Sequence, residues 1–144
     1  MRFAVAVLAF ASLLPAQTVS TPVEQASQLL SQGVMTARIE DSRAALTYFE
    51  QAVALDAKNA DAWFELGMCE GRLGKQAAKA TALDKAVSLR PTFVAARHQL
   101  VLALRLSGHA NEARQQLTEL RKYDASLASG VEKAIAPPTQ LASR

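Results

Sequence analysis

The chain has 144 residues, about one domain's worth, with few aromatics and abundant Ala and Leu, a composition that suits helices packed through small residues better than a sheet. No apolar run reaches the about 18 residues that a membrane-spanning helix needs, and a single cysteine, Cys69, excludes an internal disulfide or a multi-cysteine metal site. Net charge is +3 but unevenly spread: Gln17 to Gly71 holds three basic and eight acidic residues (−5), and the chain from Arg72 onward twelve basic and five acidic (+7). Such a split reads as solvated faces, or alternatively as a basis for head-to-tail self-association or for attracting an acidic partner.

In chain order, Met1 to Ala16 reads as a secretory signal peptide. Arg2 supplies the charged start, Phe3 to Leu14 an apolar stretch broken only by Ser12, and Ala16 a small residue suited to cleavage, although Leu14 makes the A-x-A pattern inexact. An uncleaved anchor helix is the alternative, for which the apolar stretch is short. The expectation is export to a periplasmic or extracellular location, with no membrane span after cleavage.

Thr21-Pro22-Val23-Glu24 is a helix start: Thr21 can cap, Pro22 fits the first helical position, and Glu24 completes a capping box. The helix that follows carries Leu29, Leu30, Gly33 and Val34. Ala44 to Asn59 then predicts a second helix, with Ala45, Phe49 and Ala52 on one face. From Asp61 to Pro91 the pattern is sharpest. Trp63 and Leu66 share a helical face, Gly67 beside them allows close approach of the next helix, Gly74 permits a turn, and Pro91 stops the helix that carries Leu83 and Ala86. The pattern returns with a period of 34 residues. Ala45, Phe49 and Ala52 precede Lys79, Leu83 and Ala86 by that interval, and Gly33 precedes Gly67 by the same interval. Leu100, Gly108, Ala113, Leu117 and Leu120 follow at the same distance, with Arg97 at the Trp63 place and Val101 at the Gly67 place, so the third unit is expected to be weaker at its helix crossing. Ser126 to Ala136 predicts a seventh helix with Leu127, Val131 and Ile135 in one stripe, ended by Pro137-Pro138.

The W-x2-L-G of Trp63, Leu66 and Gly67, with Gly74, Leu83, Ala86 and Pro91, resembles the tetratricopeptide repeat, a helix–turn–helix unit of about 34 residues. Glu70 departs from it where the family has Tyr, and Lys79 where it has Ala. The resemblance implies an all-α fold: a right-handed superhelical array of antiparallel helix pairs, an α-solenoid, with a C-terminal capping helix that covers the last pair. The expected layout is a signal peptide over 1–16, a repeat domain over 17–136 and a disordered tail over 137–144. Repeats fall at about 26–59, 60–93 and 94–127, and the cap at about 126–136. Cys69, at a place the family gives to a small buried residue, is expected to be an inert buried thiol rather than a reactive or dimer-forming one.

Function follows from the same resemblance. In the family, the first helices of successive repeats line a concave groove that holds a peptide or partner segment. Here that assigns partner binding to Leu30, Val34, Arg38, Phe64, Met68, Arg72, His98, Leu102 and Arg105. The mid-helix places are mostly apolar, unlike the family variant that grips chaperone C-termini with Lys and Asn. Arg38, Arg72 and Arg105 would form a short guanidinium ladder, or simply place positive charge at helix C-termini. The reading is an exported scaffold or adaptor for a protein or peptide partner. The alternative is a structural module that self-associates, as a homo-oligomer, through its end helices or opposed charges. Binding of an anionic polymer by the basic half stands far behind, and no nucleic-acid partner is expected. No enzyme and no cofactor is expected: a turn separates His98 from His109, the carboxylates at Asp61/Glu65 and Glu40/Asp41 are explained by capping and solvation, and Gly67, Gly71 and Gly74-Lys75 lack phosphate-loop spacing.

Overall fold

A computed structural model describes residues 20–39 and 41–135. The expected signal peptide and the expected C-terminal tail lie outside these residues. Among the described residues there are seven helices and no strand: α1 (Pro22–Arg38), α2 (Ser42–Leu55), α3 (Ala60–Arg72), α4 (Gln76–Leu89), α5 (Val94–Leu106), α6 (Ala110–Tyr123) and α7 (Ala125–Ile135).

The helix starts are local chemistry. Thr21 Oγ1 accepts from the Glu24 N–H at 3.3 Å while Glu24 Oε2 accepts from the Thr21 N–H at 2.8 Å, which closes a capping box at α1. Asp41 caps α2 through the Ala44 N–H, and Asn59 Oδ1 accepts from the Asp61 and Ala62 N–H groups at the head of α3. At the far ends of α3 and α5 the chain turns through Gly74 (φ +78°) and Gly108 (φ +86°), a left-handed backbone that favours glycine.

Consecutive helices pack as antiparallel pairs, α1 on α2, α3 on α4 and α5 on α6, and each second helix also packs on the first helix of the next pair. The core lies in two clusters. Ala45, Phe49, Leu66, Cys69 and Ala82 form the first; a larger one runs from Ala80 and Leu83 through Leu100, Val101 and Leu120 to Val131 of α7. Trp63 packs against both and fixes its indole by donating from Nε1 to the Ala57 carbonyl at 2.9 Å. Close approach decides the helix crossings. A Cβ at Gly33 would stand 2.6 Å from Phe49 Cε1, and one at Gly67 would stand 3.0 Å from Leu83 Cγ and 3.2 Å from the Lys79 carbonyl oxygen.

The third pair holds its crossing by other means than the central one. Val101, at the Gly67 place, is fully buried. Arg97, at the Trp63 place, is also buried, only 6% exposed. Its Nη2 donates to the Pro91 carbonyl at 2.9 Å, the bond that Trp63 makes to Ala57 one repeat earlier, and its Nη1 donates to Gln116 Oε1 at 2.6 Å. The guanidinium also lies 5.7 Å from the Tyr123 ring centroid. A charged residue thus takes over the hydrogen bond of the missing aromatic. Helix α7 rests on α6 and α5, burying Ala128 and Val131, and Arg121 pairs with Glu132 at 2.8 Å.

Cys69 is buried, and its thiol donates to the Ser42 carbonyl at 2.9 Å. Burial raises its pKa, against the opposing pull of Arg72; of the expectation for this thiol, the burial is what the structure shows.

Candidate functional site

On α3, Ala62, Leu66 and Cys69 turn into the core, which leaves Phe64 and Met68, four residues apart, half-buried on another face. Leu30 and Val34 on α1 and His98 and Leu102 on α5 are likewise half-buried, and Arg38, Arg72 and Arg105 are exposed at the ends of their helices. None of the nine expected groove residues is sealed in the core.

They do not form one uniform row. Arg38 and Arg72 come together around a cavity of about 470 Å³ whose other lining residues are Ala37 and Ser42, and Arg72 Nη1 donates to the Ala37 carbonyl at 3.4 Å. Arg105 stands apart and donates to the Ile135 carbonyl at the end of α7, at 3.1 Å. The reason is register. The place one full repeat after Arg72 is Leu106, and Arg105 precedes it by one residue, a rotation of about 100° around the helix. The guanidinium ladder therefore has two members. His98 and Leu102 belong to a third place, a cavity of about 510 Å³ walled on its other side by Leu127, Val131 and Ala134 of α7.

Several side chains that sequence reasoning missed shape this face. The Phe64 ring centroid lies 5.0 Å from that of Phe93, tilted by 42°, and the Arg90 guanidinium sits 3.8 Å over Phe93 while pairing with Asp61. Phe64 is thus braced. Lys79 lays its stem over Gly71, where a Cβ would stand 2.7 Å from Lys79 Cδ, and its Nζ donates to Gln99 Oε1 at 2.8 Å. Burial lowers the Lys79 pKa. Burial also raises that of Glu65, where the pull of Arg72 opposes and Asp61 reinforces the shift. The only advance signal was that Lys79 and Phe93 are bulky side chains at or beside the repeat's small and turn positions.

His98 and His109 are separated as expected, His98 in the α5–α7 cavity and His109 exposed, with Nδ1 at 3.3 Å from Ser107 Oγ. A further cavity, of about 590 Å³, lies elsewhere, between α4, α5 and α6, and none of the nine residues lines it. Among the described residues, no helix is long and apolar enough to cross a membrane, and no group of His, Cys, Asp and Glu could hold a metal ion.

This face presents apolar side chains with Arg38 and Arg72 at one end. Residues 60–93 match the tetratricopeptide repeat family model. No curated protein matches the sequence. Among solved structures, MamA is similar at 25% identity and a TM-score of 0.66 over 73% of this chain, which spans 61% of the MamA chain. The first tetratricopeptide-repeat domain of Spaghetti (RPAP3), bound to the HSP90 peptide SRMEEVD, is similar in fold at 17% identity and a TM-score of 0.74, over 87% of this chain and 99% of that one. The Yersinia enterocolitica type III secretion chaperone SycD, in complex with a peptide of the translocator YopD, is similar at 17% identity and a TM-score of 0.68, over 76% and 90%. The chain carries a tetratricopeptide repeat at residues 60–93 and folds as a small all-α helical-repeat solenoid of the tetratricopeptide-repeat kind.

Proposed function

We propose that this protein is a scaffold that binds a peptide or partner segment along the first helices of its repeats, and that it acts by binding rather than by catalysis. The observation that carries this reading is the incomplete burial of Leu30, Val34, Phe64, Met68 and Leu102. They lie on α1, α3 and α5, and Leu30, Val34, Phe64 and Leu102 pack against the two core clusters while keeping part of their surface open. The bound peptides in the similar Spaghetti and SycD structures support it. Phe64 is the central anchor, because Phe93 holds its ring in place and it loses little freedom on binding. Phe64→Ala is expected to weaken a partner captured from the native exported fraction by more than about 1 kcal/mol, as truncation of a hot spot does. Lys85→Ala and Lys133→Ala, both at exposed positions outside this face, serve as controls. Equal weakening by the control changes, with the fold intact by circular dichroism, would rule out the groove as the binding surface.

We also propose that residues 1–16 direct export to a periplasmic or extracellular location. The intact mass of the exported protein is expected to correspond to a chain beginning at Gln17 or within a few residues of it. A full-length mass would contradict this.

A further inference from the structure

Among the described residues, the cavity between the ends of α1 and α3 is lined by two guanidinium groups and no carboxylate. Arg38 and Arg72 line it with Ala37 and Ser42, and neither arginine is ion-paired to a described residue. The end of a helix favours one nearby cation, which satisfies its last carbonyls. At α7 a single guanidinium, that of Arg105, does this. At α1 the Arg72 bond to Ala37 already does it, so Arg38 is a second positive charge in the same place. Of the nearby described acids, Asp41 faces the head of α2, accepting from Ala44 at 3.0 Å, and Glu65, half-buried on α3, feels the pull of Arg72 but neither pairs with it nor lines the cavity. Arginine presents five N–H donors and Arg72 uses one of them weakly, at 3.4 Å, so a fork for a carboxylate remains.

We propose that this cavity seats an acidic side chain of the bound segment. This inference rests on the groove reading above and names the chemistry of the partner. The helices also set the spacing. Val34 precedes Arg38 by four residues and Met68 precedes Arg72 by four, so each arginine is rooted about 6 Å along its helix from an apolar residue. An extended segment covers that distance in two residues, at about 3.3 Å each. The preferred segment therefore has Asp or Glu two positions from a large apolar residue.

A randomised display library selected against the full chain tests this. The expected result is enrichment of Asp or Glu two positions from Leu, Ile, Met or Phe. The double variant Arg38→Glu/Arg72→Glu should replace that acid with Lys or Arg, while Lys85→Glu/Lys133→Glu should select as the unaltered chain does. For a selected peptide, Glu→Gln or Asp→Asn should weaken binding about three- to tenfold at low salt, and less at high salt. Circular dichroism checks the fold of the double variant. If that variant does not fold, the single change Arg38→Ala takes its place, since the Arg38 side chain makes no hydrogen bond to a described residue; it should abolish the acid preference. Apolar peptides without acid enrichment, or an acid preference that survives these changes, would overturn this proposal and leave the groove reading standing. If no peptide is selected at all, the groove reading itself fails.

Discussion

Phe49→Ala is expected to lower stability by about 3–5 kcal/mol, the range for removing a buried aromatic from a core. Phe49 is the largest fully buried side chain and lies against the bare backbone of Gly33, in the smaller of the two core clusters. In a stacked array each unit touches mainly its neighbours, so damage of this kind stays local. Hydrogen exchange should show protection lost first in α1 and α2, while the larger cluster around Leu83, Leu100 and Leu120 keeps its protection. The same contact can be stressed from the other side. Gly33→Ala would press a methyl group on the Phe49 ring and should cost about 1–3 kcal/mol. Combined with Phe49→Leu, it should cost less than the sum of the two single changes, because the smaller side chain makes room. Urea denaturation gives these values, and an unchanged midpoint in Phe49→Ala would contradict the packing described here.

The second large effect is expected at Arg97. Alanine there would leave the Gln116 side chain and the Pro91 carbonyl without their partner and open a space beside Tyr123. Each abandoned group costs about 1–3 kcal/mol when buried, and a total of about 2–4 kcal/mol is expected for partly buried ones such as these. Arg97→Lys should lose nearly as much, since an ammonium cannot reproduce the planar fork that reaches both acceptors. Arg97→Trp should recover most of the loss, because Trp63 occupies the equivalent place and its indole reaches the equivalent carbonyl, that of Ala57. A neutral Arg97→Ala, measured by thermal or urea unfolding, would show that the guanidinium does not hold the third pair together.

Much of the fold was legible in the residues because it depends on local rules. The capping box at Thr21 and Glu24 is chemistry within one helical turn. The turns at Gly74 and Gly108 need a left-handed backbone, and glycine announces it. The close crossings at Gly33 and Gly67 follow from a bare backbone facing Phe49 and Leu83, each at its fixed interval in the repeat. The half-burial of Phe64 and Met68 follows from helical periodicity alone, once Leu66 and Cys69 face the core.

What sequence reasoning could not reach depends on contacts between distant residues. The expected ladder of three arginines failed at Arg105 because one residue of register turns a side chain about 100° around its helix, far enough to reach α7 instead of the groove. The brace of Phe93, Arg90 and Asp61 around Phe64 joins the α4–α5 loop to α3, and no periodicity within one helix encodes such a meeting. Arg97 illustrates the same point. The mismatch to the repeat pattern at this place gave no sign that the guanidinium reaches Pro91 and Gln116 across the fold. By itself the sequence determined which residues form helices, where those helices turn and which faces they bury. The tertiary structure alone decided which side chains from different helices meet, because that depends on how each helix is rotated and placed against its neighbours.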